Sequence, residues 1–228
     1  MESKKMVKIL ETNEREFKQY LLETLSASLK DSPLKSKESQ LDELKKGIDV
    51  LYQKFQEDVQ EGLLFFYETI KEEELKQLDA IMRKYALTFR SKVLHEKVKG
   101  DVELTNDDFR FLANIAKRKF ADRHFVEANA MFRFITDLNP FYSPAWIGIA
   151  LCFQEQGEME NADKIYEMAM PLCSDSPLFC LCAANHFLSR NRKDLAKEIC
   201  QTALQEMELY HQKDSSEYRE ISELLKKL

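Results

Sequence analysis

Three rows of sequence decide the fold. Phe109–Tyr142 reads FRFLANIAKRKFADRHFVEANAMFRFITDLNPFY, Ser143–Ser176 reads SPAWIGIALCFQEQGEMENADKIYEMAMPLCSDS, and Pro177–Leu204 reads PLFCLCAANHFLSRNRKDLAKEICQTAL. Set beneath one another at a pitch of 34 residues, they align in columns. Ala116, Ala150 and Ala184 form one column, and Ala128, Ala162 and Ala196 form another. Ile115, Ile149 and Ala183 precede the first. Phe132, Tyr166 and Cys200 follow the second one helical turn later, and Ile135, Ala169 and Ala203 close the pattern. Small residues in fixed columns let two helices approach closely, while bulky ones fill the holes between successive units.

A constant period of 34 with these sites is the mark of the tetratricopeptide repeat. Each unit is a helical hairpin too small to bury its own apolar face, so it must stack on its neighbours. Row two holds most of the consensus, with Trp146, Gly157, Ala162, Tyr166 and Ala169, and Pro140 closes row one. The expected fold is all-α: three tetratricopeptide repeats over 105–206 forming an α-solenoid, an N-terminal helical hairpin or arm over 1–100, and a capping helix over 215–228. Thr105, with Asp108 at the third helical position, predicts the cap of the first repeat helix. That helix runs to about Ala121 and its partner from about Val126 to Leu138. Ser143-Pro144 and Ser176-Pro177 predict the next two starts, serine as cap and proline at the first helical position, where a missing N–H costs nothing. Row three ends near Glu206. Tyr218, Ile221, Leu224, Leu225 and Leu228 give the last helix one apolar face, as a terminal cap requires.

Working back toward the N-terminus, Leu10, Phe17, Leu21, Leu25 and Leu29 predict an amphipathic helix over 7–30, stopped at Ser32-Pro33. A polar segment, Asp31 to Ser39, follows. A second helix is expected from Ser39, with Asp42 as the partner in a capping box. Its Leu41, Leu44, Ile48, Leu51 and Phe55 follow coiled-coil spacing. The register then slips through Val59, Leu63, Phe66 and Ile70, with Gly62 at the slip. A further helix is expected from Glu72 to about Lys97, carrying Leu75, Leu78, Ile81, Met82, Tyr85 and Phe89. These helices either pack on themselves or on the repeats, or serve as a dimerisation arm. Gly100 and the polar run after it mark the boundary to the repeats.

Composition limits the chemistry. Of 228 residues 44% are apolar, enough for a core, and five Gly and five Pro suit a mostly helical chain. The net charge is -6 and neither half is basic, so nucleic acid is not an expected partner. Cys152, Cys173, Cys180, Cys182 and Cys200 all lie within the repeats, an odd number without metal-ligand spacing. They read as buried free thiols in a reducing compartment. The opening MESKKMVKIL has too short an apolar run for a signal peptide, and no window is apolar enough to span a membrane. The expectation is a cytoplasmic protein without membrane insertion. His95, His124, His186 and His211 are isolated in sequence, His124 falling in the turn of row one, and no phosphate-binding, dinucleotide or hydrolase motif occurs. No enzymatic activity, metal or cofactor is expected.

Binding remains. In stacked helical hairpins the first helix of each pair lines the concave surface, at positions two, five, nine, twelve and thirteen of each row. The candidate groove residues are Arg110, Lys117 and Phe120 from row one, Ile147, Leu151 and Gln154 from row two, and Leu181, Asn185 and Leu188 from row three. Ala113, Ala121, Pro144, Glu155, Leu178 and Ser189 share those positions. Such a groove is largely apolar, with Lys117, Gln154 and Asn185 to hydrogen-bond a peptide backbone, which suits an extended peptide with hydrophobic anchors. Phe120 stands at position twelve, one later than the consensus aromatic, and is expected to turn toward the groove. Ala113, Gly148, Leu178 and Cys182 occupy places where some tetratricopeptide proteins hold a chaperone's C-terminal carboxylate with cations, so that ligand is not expected.

The run from Phe111 to Pro140 resembles the class II chaperones of bacterial type III secretion. The residues that carry the likeness are Phe120, Phe125 and Ala128 in row one, followed by Trp146, Ile147, Gly148 and Ala150 in row two. It covers about 105–206. The resemblance implies a cytoplasmic chaperone that holds translocator or other secreted clients before export. A short proline-containing client segment would lie extended in the groove, and dimerisation would run through N-terminal helices. The alternative is a scaffold or adaptor that joins two proteins. Two departures stand out: the region before the first repeat is longer than that family's arm, and row three has Asn191 for the turn glycine and Cys200 for an aromatic.

Overall fold

A computed structural model describes Leu22 and residues 37–92, 103–210 and 213–228. Among the described residues every regular element is helical. The chain divides into two compact units, Met1–Leu112 and Ala113–Leu228, and the division passes through a helix.

The first unit contains α1 (Lys37–Thr69), a short 3-10 turn (Glu72–Glu74), α2 (Leu75–Lys92) and the opening of α3 (Asn106–Ala121). Helix α1 is already helical at Lys37, ahead of Ser39, and passes through Gly62 without a break. The helix expected from Glu72 opens instead as the 3-10 turn, where the Lys71 N–H donates to Glu74 Oε2 at 3.1 Å. Three adjacent glutamates, Glu72 to Glu74, favour that tight start, since acidic groups are stabilised by the unpaired N–H groups of a helix N-terminus. Tyr67 donates to Asp79 Oδ1 at 2.8 Å, joining the end of α1 to α2. Val59, Leu63 and Phe66 of α1, Leu78, Ile81 and Met82 of α2, and Phe109 and Leu112 of α3 are buried. The helix expected over 7–30 and the segment 93–97 lie outside the described residues, apart from Leu22.

Helix α3 has the cap its sequence predicts, in reciprocal form. Thr105 Oγ1 accepts from the Asp108 N–H at 3.2 Å, and Asp108 Oδ2 accepts from the Thr105 N–H at 2.9 Å. Lys84 on α2 adds an ion pair to the same carboxylate at 2.9 Å. Burial raises the Asp108 pKa, but the hydrogen bonds from Thr105 and Lys84 outweigh it and hold the carboxyl below the usual range.

The second unit contains the rest of α3 and then α4 (Phe125–Leu138), α5 (Ser143–Glu155), α6 (Met159–Cys173), α7 (Pro177–Ser189), α8 (Lys193–Leu209) and α9 (Ser216–Lys227). Helices α4 and α5 pack together, as do α5 with α6, α6 with α7 and α7 with α8, and α9 lies against both α7 and α8. The repeat columns form the core. Ala116, Ala150 and Ala184 are fully buried, as are Ala128, Ala162 and Ala196. Ile115, Ile149 and Ala183, then Phe132, Tyr166 and Cys200, then Ile135, Ala169 and Ala203 are buried alongside them. This is a tetratricopeptide α-solenoid of three helix pairs closed by a terminal helix.

The junctions within and between pairs follow local chemistry. Ser176 and Ser215 cap α7 and α9, accepting from the N–H groups of Phe179 and Tyr218. Ser143 does not cap α5. The helix already includes it, Tyr142 holds the cap position, and the Ser143 hydroxyl instead donates to Ser176 Oγ at 2.8 Å, linking the starts of two successive first helices. Trp146 donates its indole N–H to Pro140 O at 2.7 Å, fixing α5 to the turn that precedes it. Helix α8 runs beyond Glu206 to Leu209. At the turn inside each pair one residue takes a left-handed conformation: Arg123 (φ 64°), Gly157 (φ 77°) and Asn191 (φ 59°), again one repeat apart. The next N–H closes each turn by reaching back five residues, His124 to Lys119 O, Glu158 to Phe153 O and Arg192 to Phe187 O.

Candidate peptide-binding groove

The candidate residues divide between the two units. Arg110 lies in the first, exposed, and pairs with Asp107 at 3.1 Å one turn earlier on α3. The others belong to the second, where α5 and α7 adjoin. Both helices are rich in apolar residues, which leaves few polar positions on them. Each carries an exposed leucine: Leu151, at position nine of row two, is 36% exposed, and Leu178, at position two of row three, is 51% exposed. Leu181 and Leu188 are half-buried. Ile147 is only 8% exposed, so it contributes to the packed layer beneath the leucines and offers little surface to a ligand. Lys117 is exposed.

Phe120 is half-buried, with its ring edge-on to Phe125 at a centroid separation of 5.3 Å. The contact closes the turn between α3 and α4, so the ring takes part in the hairpin's own packing. Asn185 is exposed but donates from Nδ2 to Leu181 O, 2.9 Å away on its own helix. Gln154 is committed more firmly. Its Nε2 lies 2.6 Å from His186 Nδ1 on α7, and its amide also reaches the Tyr166 hydroxyl.

His186 is the residue that reading the sequence missed. It is buried, and its Nε2 lies 2.5 Å from Asp163 Oδ1 on α6. The ring thus bridges the Gln154 amide at Nδ1 and the Asp163 carboxylate at Nε2. Arg190 extends the chain of polar groups, with Nε 3.4 Å from Asp163 and NH2 3.1 Å from Glu160. Tyr166 and Phe187 rings flank the imidazole at 5.0 and 5.3 Å. The network therefore ties α5, α6 and α7 together and immobilises Gln154. One signal could have exposed it: His186 shares its repeat column with Cys152, a buried position, so a polar residue there needs partners.

The five cysteines are free thiols, four buried and Cys182 half-buried. Burial pushes Cys152 and Cys180 up to about 12 and Cys173 to about 11, and it also raises Cys182 and Cys200. At neutral pH these thiols are protonated packing groups, unsuited to nucleophilic attack. His124 is exposed beside Glu127 at 3.2 Å. Among the described residues no group of three His, Cys, Asp or Glu side chains is placed to hold a metal, and no helix is long and apolar enough to cross a membrane.

No family model and no curated protein matches the chain. Among solved structures it is similar to the Yersinia enterocolitica type III secretion translocator chaperone SycD, at 19% identity over 54% of this chain and 92% of that one, with a TM-score of 0.44. An alternative dimer of SycD matches at 20% identity over 54% of this chain and 93% of that one, with a TM-score of 0.43. The CopN-Scc3 complex matches at 17% identity over 55% of this chain and 71% of that one, with a TM-score of 0.42. Likeness at this level transfers no residue roles, and the site rests on its own geometry.

Proposed function

We propose that this chain is a non-catalytic holding chaperone whose groove of first helices takes an extended hydrophobic segment of a type III secretion client, a translocator or effector, before export. The observation that carries the reading is the exposed apolar surface of α5 and α7, where Leu151 and Leu178 are open to solvent and Leu181 and Leu188 half-buried. Burying such apolar surface gains about 25 cal/mol for each Å² removed from water. Covering it hides from water a segment that would otherwise aggregate.

The test compares wild type with Leu151→Asp/Leu178→Asp in capture from a lysate of the source organism, followed by mass spectrometry. Loss of one or two hydrophobic exported proteins in the variant is the expected outcome. Partners that are assembly-machinery components and persist in the variant would instead make the chain an adaptor. A homodimer through the N-terminal helices belongs to the same reading. The side chains of its seam at Leu44, Ile48, Leu51 and Phe55 lie outside the described residues, while Val59, Leu63 and Phe66 are buried by the chain itself. Light scattering of the full chain decides it, since a mass near 26.8 kDa would remove the dimer.

A further inference from the structure

The second helices of rows two and three, α6 and α8, both pack on α7, and between them the second unit leaves a cavity of about 260 Å³. Its floor is Phe187 and Cys180 of α7, and its apolar walls are Met170 of α6 with Leu195 and Ile199 of α8. Pro171 lies inside α6 next to Met170. It stands three residues earlier in its row than the closing Pro140 does in row one, so the last turn of α6 lacks a backbone N–H beside the cavity. The candidate groove draws on the first helices, so this cleft is a separate site, and it does not rest on the groove reading.

Three features define what would fit. The volume falls below the roughly 300 Å³ at which small-molecule and cofactor sites begin, which favours an anchoring side chain over a whole ligand. The Cys180 thiol, held protonated by burial and directed to Ser174 O at 3.3 Å, is wall and not nucleophile. The mouth carries one carboxylate without a cation beside it. Glu167 is already paired with Arg192 at 2.6 Å, and that guanidinium lies over the Phe187 ring at 4.8 Å, which orders one wall. Glu198 on the opposite wall is exposed and has no ion-pair partner among the described residues. An unpaired carboxylate at the lip of an apolar cleft complements a cation attached to an apolar group.

We propose that this cleft is a second recognition site, which takes a peptide segment presenting a large apolar side chain next to a lysine or arginine. The apolar side chain fills the space over Phe187 between Met170 and Ile199, and the cation pairs with Glu198. The chain would then hold a basic-apolar segment on its outer helices independently of any ligand in the groove.

The experiment titrates the full chain, labelled at its methionine and isoleucine methyls, with two otherwise identical short peptides. Each has a central Leu-Phe pair, flanked by lysines in one and glutamates in the other. The expected result is that the Met170 and Ile199 methyl signals move and saturate with the lysine peptide, with affinity about tenfold weaker for the glutamate peptide. Glu198→Lys, a surface change, should reverse that order, and Leu151→Asp in the groove should leave it untouched. Methyl signals that stay still with both peptides would overturn the proposal. So would equal affinity for the two peptides, or shifts abolished by Leu151→Asp.

Discussion

Arg123, Gly157 and Asn191 share one backbone conformation at one repeat position, but only glycine adopts it without strain. Arginine in the left-handed region costs about 1 kcal/mol, and asparagine less, because its side chain tolerates that region. Arg123→Gly should therefore raise the stability of the fold by about 0.5–1 kcal/mol, read as a higher urea midpoint at unchanged slope. Gly157→Ala should lower it by a similar amount, since nothing crowds the added methyl and the effect is conformational alone. Gly148 is the opposite case. A Cβ there would sit 2.6 Å from the Phe132 ring, closer than any real contact, so α4 and α5 could not keep their separation. Gly148→Ala should cost about 1–3 kcal/mol through overpacking, and a midpoint unchanged from wild type would show that the two helices can part freely. The sequence places Gly148 among positions that elsewhere grip an anion. In this fold it is the space into which Phe132 packs.

Helices begin and end here for reasons that lie mostly within a few residues. The Thr105–Asp108 cap of α3 is one of them, reinforced by Lys84. Because the folded pKa of Asp108 is depressed, its contribution is present above the ordinary carboxylate range and is lost as pH falls through the depressed value. Asp108→Asn should therefore lower stability at neutral pH by about 0.5–2 kcal/mol, and the gap from wild type should close in strong acid. A gap of constant size across the pH range would mean that the carboxylate's charge is irrelevant. The contrast between Ser143 and Ser176 is instructive at the same scale. Both precede proline, yet only Ser176 caps, because the Ser143 hydroxyl bonds to Ser176 across the repeat junction. A motif read along the chain cannot see a competitor in the next repeat.

At the scale of the whole molecule, the groove and the outer cleft make different demands on the fold. Leu151 and Leu178 carry exposed side chains, so their replacement by aspartate should change stability by no more than about 0.5 kcal/mol while removing client binding. Thermal unfolding by circular dichroism checks the first half, and a large drop in melting temperature would show the leucines to be structural. What the sequence by itself determined is the α-solenoid: its period, its helix pairs and the buried columns from Ala116 to Ala203. Those follow from local rules, since helical geometry puts residues three and four apart on one face and small columns dictate close approach. What only the tertiary structure decided is the state of the site. Gln154 is engaged by His186 from 32 residues away, and His186 by Asp163 from 23. The cleft over Phe187 is walled by α6 of row two and α8 of row three. Each depends on how one repeat meets the next, and no periodicity within a repeat encodes which polar atoms that meeting brings within hydrogen-bonding distance.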